Sequence, residues 1–280
     1  MRYSLPLRRT LTAIVMFLSA FAHGSMISSA AGQNSALNPQ EALVHRALMN
    51  EIAAAKDTSH PMRYRLRKTS PRLTTVKNII ETRDGDVARL LSRDNAPLSA
   101  ADEQMEQDRL NQLLSDPGKQ RHRQQGEDAD LARAMKILRV LPDAFLYQYS
   151  RTEGNTAKFT FKPNPNFQSE DLETKALTAM DGELWVDTTA ERVTRLEGHL
   201  KDDVDYGWGL LGQLNKGGYI LIEQAEVAPK IWHTTHLKMQ MAFRILYKSK
   251  VSDATLELSD FSPVQQGLDY KQAIQMLRAN

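Results

Sequence analysis

Hydrophobic and polar positions recur with two different periods along this chain, and the switches between them divide it into elements. From Asn38 onward Leu43, Ala47, Leu48 and Ile52 return at helical spacing, with Asn38 placed to cap and Pro39 suited to the first turn. A helix is predicted from there to about Lys56-Asp57. The period then drops to two. Met62, Tyr64 and Leu66 alternate with Arg63, Arg65 and Arg67, the pattern of a half-buried strand with one basic face. Two further strands are predicted at 73–83 and 87–93. Asp84-Gly85-Asp86 joins them, because glycine reaches positive φ at little cost.

A helical interlude follows. Ser99 opens a helix that continues to Leu114, and Pro117-Gly118 breaks it. The very polar run Lys119 to Gly126 is expected to be a mobile loop. Asp128 to Leu141 is a second helix, with Leu131, Met135, Leu138 and Leu141 on its apolar side and Pro142 as its stop. From Asp143 the chain returns to period two. Phe145, Tyr147 and Tyr149 face Phe159 and Phe161 across a turn at Glu153-Gly154-Asn155, and a polar connection runs from Asn164 to about Thr178. Strands at 182–188, 192–201, 205–215, 218–226, 231–248 and 254–261 follow, then a short helix at 270–277. Leu237, Met239, Met241, Phe243, Ile245 and Tyr247 alternate strictly, and a strand so long must twist and curl as in an open barrel. Consecutive hairpins imply an antiparallel sheet, and helices gathered in two places imply that they cover one face of it. The fold class is therefore α+β. Residues 32–280 form a single domain with a helical insertion at about 99–141.

The first 31 residues carry the parts of a secretory signal peptide. Arg2, Arg8 and Arg9 precede the apolar stretch Leu11 to Ala22, and the small residues Ser29-Ala30-Ala31 suit cleavage, with Ala20-Phe21-Ala22 an earlier alternative. The apolar stretch is short of the roughly 20 residues that a bilayer span needs. A periplasmic or secreted bacterial protein is expected, with no transmembrane span after cleavage. Losing those three arginines from 36 basic residues leaves 33 against 34 acidic ones. A mature chain that close to neutral argues against nucleic acid as a partner.

Chemistry is sparse. The chain has no cysteine, hence no disulfide, thiolate site or cysteine nucleophile. No G-x-S-x-G motif occurs. His233 and His236 lie three apart on a predicted strand, so their rings point to opposite faces. Asp202, Asp203 and Asp205 lack the glycine and distal glutamate of a calcium loop and read as a solvated turn. No cofactor or metal is expected, and the function is read as non-enzymatic.

Two segments stand out: Met180 to Asp187 (MDGELWVD), and Tyr206 to Gly212 through Gly217-Gly218-Tyr219. With the exported start, the opening helix, the long sheet and the helical insertion after the third strand, they resemble the LolA/LolB family of periplasmic lipoprotein carriers and outer-membrane receptors. The resemblance implies a long curved half-barrel whose apolar concave face is closed by a few helices. It also implies a lipophilic ligand, a lipid or a lipoprotein acyl chain. On that view Tyr147, Tyr149, Phe159, Phe161, Met239, Met241 and Phe243 line the ligand site, since methionine and aromatic side chains adapt to an irregular apolar guest. The same alternation is what a dry core beneath the helices produces, and the pattern alone leaves both open. An envelope sensor or protein-interaction domain of the same fold, with an envelope protein as partner, is the alternative.

Overall fold

The computed structural model describes residues 38–169, 171–206, 212–246 and 248–279. The expected signal peptide at 1–31 and the glycine-rich stretch 207–211 lie outside the described residues. Helix α1 (Pro39–Lys56) begins with the anticipated cap: the Glu41 backbone N–H donates to Asn38 Oδ1 at 2.8 Å, and the Asn38 N–H donates back to Glu41 Oε2 at 3.4 Å. Strands β1 (Met62–Ser70), β2 (Leu73–Ile80), β3 (Val87–Arg93) and the two-residue β4 (Ala96–Pro97) follow, then α2 (Ala100–Ser115) and α3 (Pro117–Ala144). The second half comprises β5 (Phe145–Glu153), β6 (Thr156–Pro163), α4 (Leu172–Lys175) and β7 (Met180–Asp187). It continues with β8 (Arg192–Leu200), β9 (Val204–Tyr206), β10 (Gly212–Leu214), β11 (Tyr219–Ala228), β12 (Ile231–Ile245), β13 (Lys248–Pro263) and α5 (Tyr270–Arg278).

All 13 strands join one antiparallel sheet in the order β4-β3-β2-β1-β13-β12-β11-β8-β7-β6-β5, with β9 and β10 attached beside β12. The sheet is not closed. Its margins are β3–β4 at one end and β5 at the other, so the α+β half-barrel layout holds. Helices α1 and α3 cover the inner face. Their apolar stripes, Val44, Leu48 and Ile52 with Ile137, Leu138 and Leu141, pack on Tyr64, Phe159, Leu184, Ile220, Leu237 and Leu256. Alternation carries Ile80 and Val87 to the opposite face, where Leu110 and Leu113 of α2 and Ile274 and Leu277 of α5 form a smaller core. No described helix is long and apolar enough to cross a membrane.

Sheet curvature is accommodated at Gly182, which lies opposite Gly198 on the neighbouring strand. A Cβ on Gly182 would sit 1.9 Å from the Glu197 carbonyl oxygen and 2.8 Å from the Phe161 ring. Only glycine permits that approach.

Four expectations are corrected. Lys119 to Gly126 is not a loop: α3 runs unbroken for 28 residues, and Asp116 Oδ1 caps it by accepting from the Gly118 N–H at 3.0 Å. Pro142 does not stop that helix, which continues to Ala144 and ends where Phe145 turns extended. The strand expected over 205–215 is the pair β9 and β10. The last strand, expected over 254–261, extends over 16 residues.

Candidate functional site

The residues expected to line a ligand site fall at one end of the inner face. Phe145, Tyr147 and Phe161 cluster there, with ring centroids 4.5 to 6.2 Å apart. Phe161, Met239, Met241 and Phe243 meet around a void also bounded by Leu177 and Leu200. That void measures about 40 Å³, against the roughly 10–15 Å³ that a single water needs by the same measure, so it has room for a few waters and not for an acyl chain. Phe159 is buried on the same strand away from the void. Tyr147 sits at the margin, and its hydroxyl donates to the Leu141 carbonyl at 3.0 Å. Burial, with Asp143 adding to it, pushes the Tyr147 phenol far above the ordinary tyrosine range, so it is a neutral donor. Tyr149 is not brought in. It lies beyond the gathering, 42 % exposed, with its ring 5.8 Å from that of Phe159.

A much larger space lies at the other end. Between the inner face of β1–β3 and helices α2 and α3 is a cavity of about 920 Å³. Its floor follows from strand alternation: Leu66 and Lys68 on β1, Thr75, Lys77 and Ile79 on β2, Ala88 and Leu90 on β3. Its roof is the joint between α2 and α3, with Arg109, Leu113, Lys119, His122 and Arg123 facing it.

The roof is held by an unusual stripe. Gln120, Arg123, Gln124 and Glu127 recur at helical spacing on α3, and each reaches the turn before β3. Gln120 Nε2 donates to the Asp84 carbonyl at 2.8 Å, and Gln124 Nε2 donates to the Arg83 carbonyl at 3.4 Å. Arg123 Nη2 donates to the Asp86 carbonyl at 2.8 Å, and Glu127 Oε2 accepts from the Asp86 N–H at 2.9 Å. On α2, Glu106 Oε1 accepts from the Leu90 N–H at 2.8 Å, and Arg109 donates to the Ala88 carbonyl. Asp86, Ala88 and Leu90 are alternate positions on the margin of the sheet. Side chains of the insertion thus pair with backbone groups that a further strand would have taken. Gly85 is required here: its φ is +94°, and a Cβ would stand 2.8 Å from Glu127 Oε2.

This arrangement decides the charge of the cavity. Glu106 and Glu127 are engaged with the β3 margin and with Arg109 and Arg123. The ammonium groups of Lys68 and Lys77 make no ion pair or hydrogen bond among the described residues. Burial pushes both ammonium pKa values below the ordinary lysine value; at Lys77 the field of Arg109 adds to this and that of Glu106 opposes it. Arg123 is likewise lowered, first by burial.

The other chemistry weighed from the sequence resolves as structure. His233 is buried, 3.3 Å from Glu81 Oε1, while His236 is half-buried beyond a bulge in β12. Asp203 accepts from the Lys216 N–H at 2.7 Å, and Asp205 accepts from Gln213 at 2.8 Å. Among the described residues no three His, Asp or Glu side chains gather as metal ligands would. Sequence reasoning missed the 920 Å³ cavity. The available signal was the inward phase of Lys68 and Lys77 beside Leu66 and Ile79.

Compared with protein-family models, curated proteins and solved structures, the chain matches none of them.

Proposed function

We propose that this is an exported, non-enzymatic binding protein of the cell envelope, built on the plan of the LolA/LolB half-barrels, and that it takes a lipophilic ligand beneath α2 and α3. The observation that carries the reading is the cavity of about 920 Å³ floored by Leu66, Ile79, Ala88 and Leu90. Its volume falls in the range typical of sites for small ligands. The aromatic and methionine gathering, with about 40 Å³ of space, admits an acyl chain only if its own side chains move aside. The ligand is therefore assigned to the β1–β3 end, and Phe161, Met239, Met241 and Phe243 act mainly as packing. Native mass spectrometry of the purified full chain, with displacement of a fluorescent fatty acid, tests this. Retained lipid or saturable displacement is expected. A protein that carries no lipid and displaces no probe ends the reading.

A second reading keeps the fold and makes the insertion an envelope sensor or a contact for an envelope protein. It is favoured by Met105 on the outer side of α2, 58 % exposed within a polar surface. Because the insertion covers the margin of β3, Met105→Asp is a cleaner probe than deletion. It should abolish capture of a partner and leave lipid retention intact.

A further inference from the structure

Lys68 and Lys77 occupy a place that an apolar carrier has no use for. They lie on the inner, core-facing phase of their strands. Tyr64 and Leu66 precede Lys68 on that phase of β1, and Ile79 follows Lys77 on β2. Leu66 pairs with Lys77 and Lys68 with Thr75, so the two lysines are diagonal neighbours, roughly 7–8 Å apart at Cα. Both line the same cavity as Leu90 and Ala88. Four carboxylates line the cavity with them: Glu106 is engaged by the Leu90 N–H and Arg109, Glu127 by the Asp86 N–H, Asp116 by the Gly118 N–H, and Asp86 lies in the field of Arg123; among the described residues none forms an ion pair with either lysine. A desolvated ammonium without a counter-ion is costly. Two on one floor, beside aliphatic side chains, form a half-built anion site joined to an apolar surface.

We propose that the cavity selects an anionic amphiphile, with a phosphate or carboxylate head held by the Nζ groups of Lys68 and Lys77 and its hydrocarbon chain laid on Leu66, Ile79, Ala88 and Leu90. This rests on the reading above that the cavity is a ligand site. It goes further in naming the ligand's charge and the two residues that choose it. The lysines are specificity-determining groups. An uncharged chain would bury the same apolar area and leave both ammoniums unpaired, so charge decides between ligands of equal length.

The test compares four probes on the full chain by calorimetry: palmitate, a lysophosphatidate of the same chain length, the uncharged monopalmitoylglycerol, and inorganic phosphate. Palmitate and lysophosphatidate distinguish a carboxylate head from a phosphate one. The better of them should bind about ten- to a hundredfold more tightly than monopalmitoylglycerol, the range expected of a charge-assisted hydrogen bond. Lys68→Gln with Lys77→Gln should erase that gap and leave monopalmitoylglycerol binding unchanged, with ligand-free melting confirming that the variant folds. Equal affinity for charged and uncharged chains, or an unaltered gap in the variant, overturns the inference and leaves the cavity reading standing. If neither kind of chain binds, both fall. Inorganic phosphate binding as tightly as the lipids would show that the apolar floor adds nothing and would also overturn it.

Discussion

Glu51 has no solvent exposure, yet it lies on the core-facing stripe of α1 among Val44, Leu48, Ile52 and Ala55. Arg192 meets it with two hydrogen bonds of 2.7 and 3.1 Å, and the Val193 N–H and Gln224 Nε2 each donate to it at 3.1 Å. One carboxylate thus ties α1 to β8 and β11. Nothing local reveals this, because a glutamate in a helix ordinarily faces water and its partner is 141 residues away. Removing one member leaves a buried charge unpaired. Arg192→Leu should therefore cost about 3–5 kcal/mol, read by denaturant unfolding, and adding Glu51→Leu should recover only part of it, because the buried Val193 N–H then loses its acceptor. Lys77 behaves in the opposite sense. Its folded-state pKa is depressed, so the unfolded chain holds the proton more tightly. The resulting destabilisation is complete below the folded-state pKa and fades as pH rises toward the ordinary lysine value of 10.5. Lys77→Met keeps the stem and drops the charge. It should gain on the order of 1 kcal/mol, or a few degrees in Tm, at neutral pH. That gain should shrink in melts run toward pH 10.5.

Among the elements, the strands and α1 follow from alternation and capping, because each has one wet side and one dry side and the pattern records it. Helix α3 does not. Its first half turns Gln120, Arg123, Gln124 and Glu127 toward the backbone of the 83–86 turn, and Gln120 is only 2 % exposed. Periodicity is read from apolar residues, so a helix whose inward stripe is polar looks like a solvated loop. Pro142 misleads for a different reason. It lies in the last turn, where only two helical residues remain after it. The work of α2 and α3 is to cover the β3 margin, and that can be measured. Glu106→Ala with Glu127→Ala leaves the Leu90 and Asp86 N–H groups without their acceptors, a loss of about 1.5–3 kcal/mol each. Hydrogen exchange at those two amides should rise sharply, while the β12–β13 ladder keeps its protection. If both amides stay as protected as before, side-chain capping of the margin is refuted.

At the scale of the whole molecule, one sheet supports two unlike interiors. From β5 across to β12 the inner face is filled: Phe145 and Phe161 on β5 and β6, with Met239 and Met241 on β12, leave only about 40 Å³ between them. At the β1–β3 end the insertion spans the sheet without entering it, and about 920 Å³ remains. Aromatic and methionine stripes are visible in the sequence. Whether they enclose space is not, because free volume depends on how closely the covering helix approaches, and that is set by side chains far away in the chain. The division predicts that stability and binding separate by position. Phe161→Ala removes a ring packed against Phe145 at 4.5 Å and Tyr147 at 6.2 Å. It should cost about 3–5 kcal/mol of stability while leaving fatty-acid displacement at the β1–β3 end within about twofold, too small a change to signify a lost contact. Leu90→Trp does the reverse. Leu90 is half-buried and faces the cavity, so an indole there fills free space rather than displacing packed atoms. Its unfolding midpoint should hold, and displacement of the fluorescent fatty acid should fall at least about tenfold through lost ligand volume. Equal loss of binding in both variants would mean that the ligand spans the two interiors, and the filled end would then have to open when it arrives.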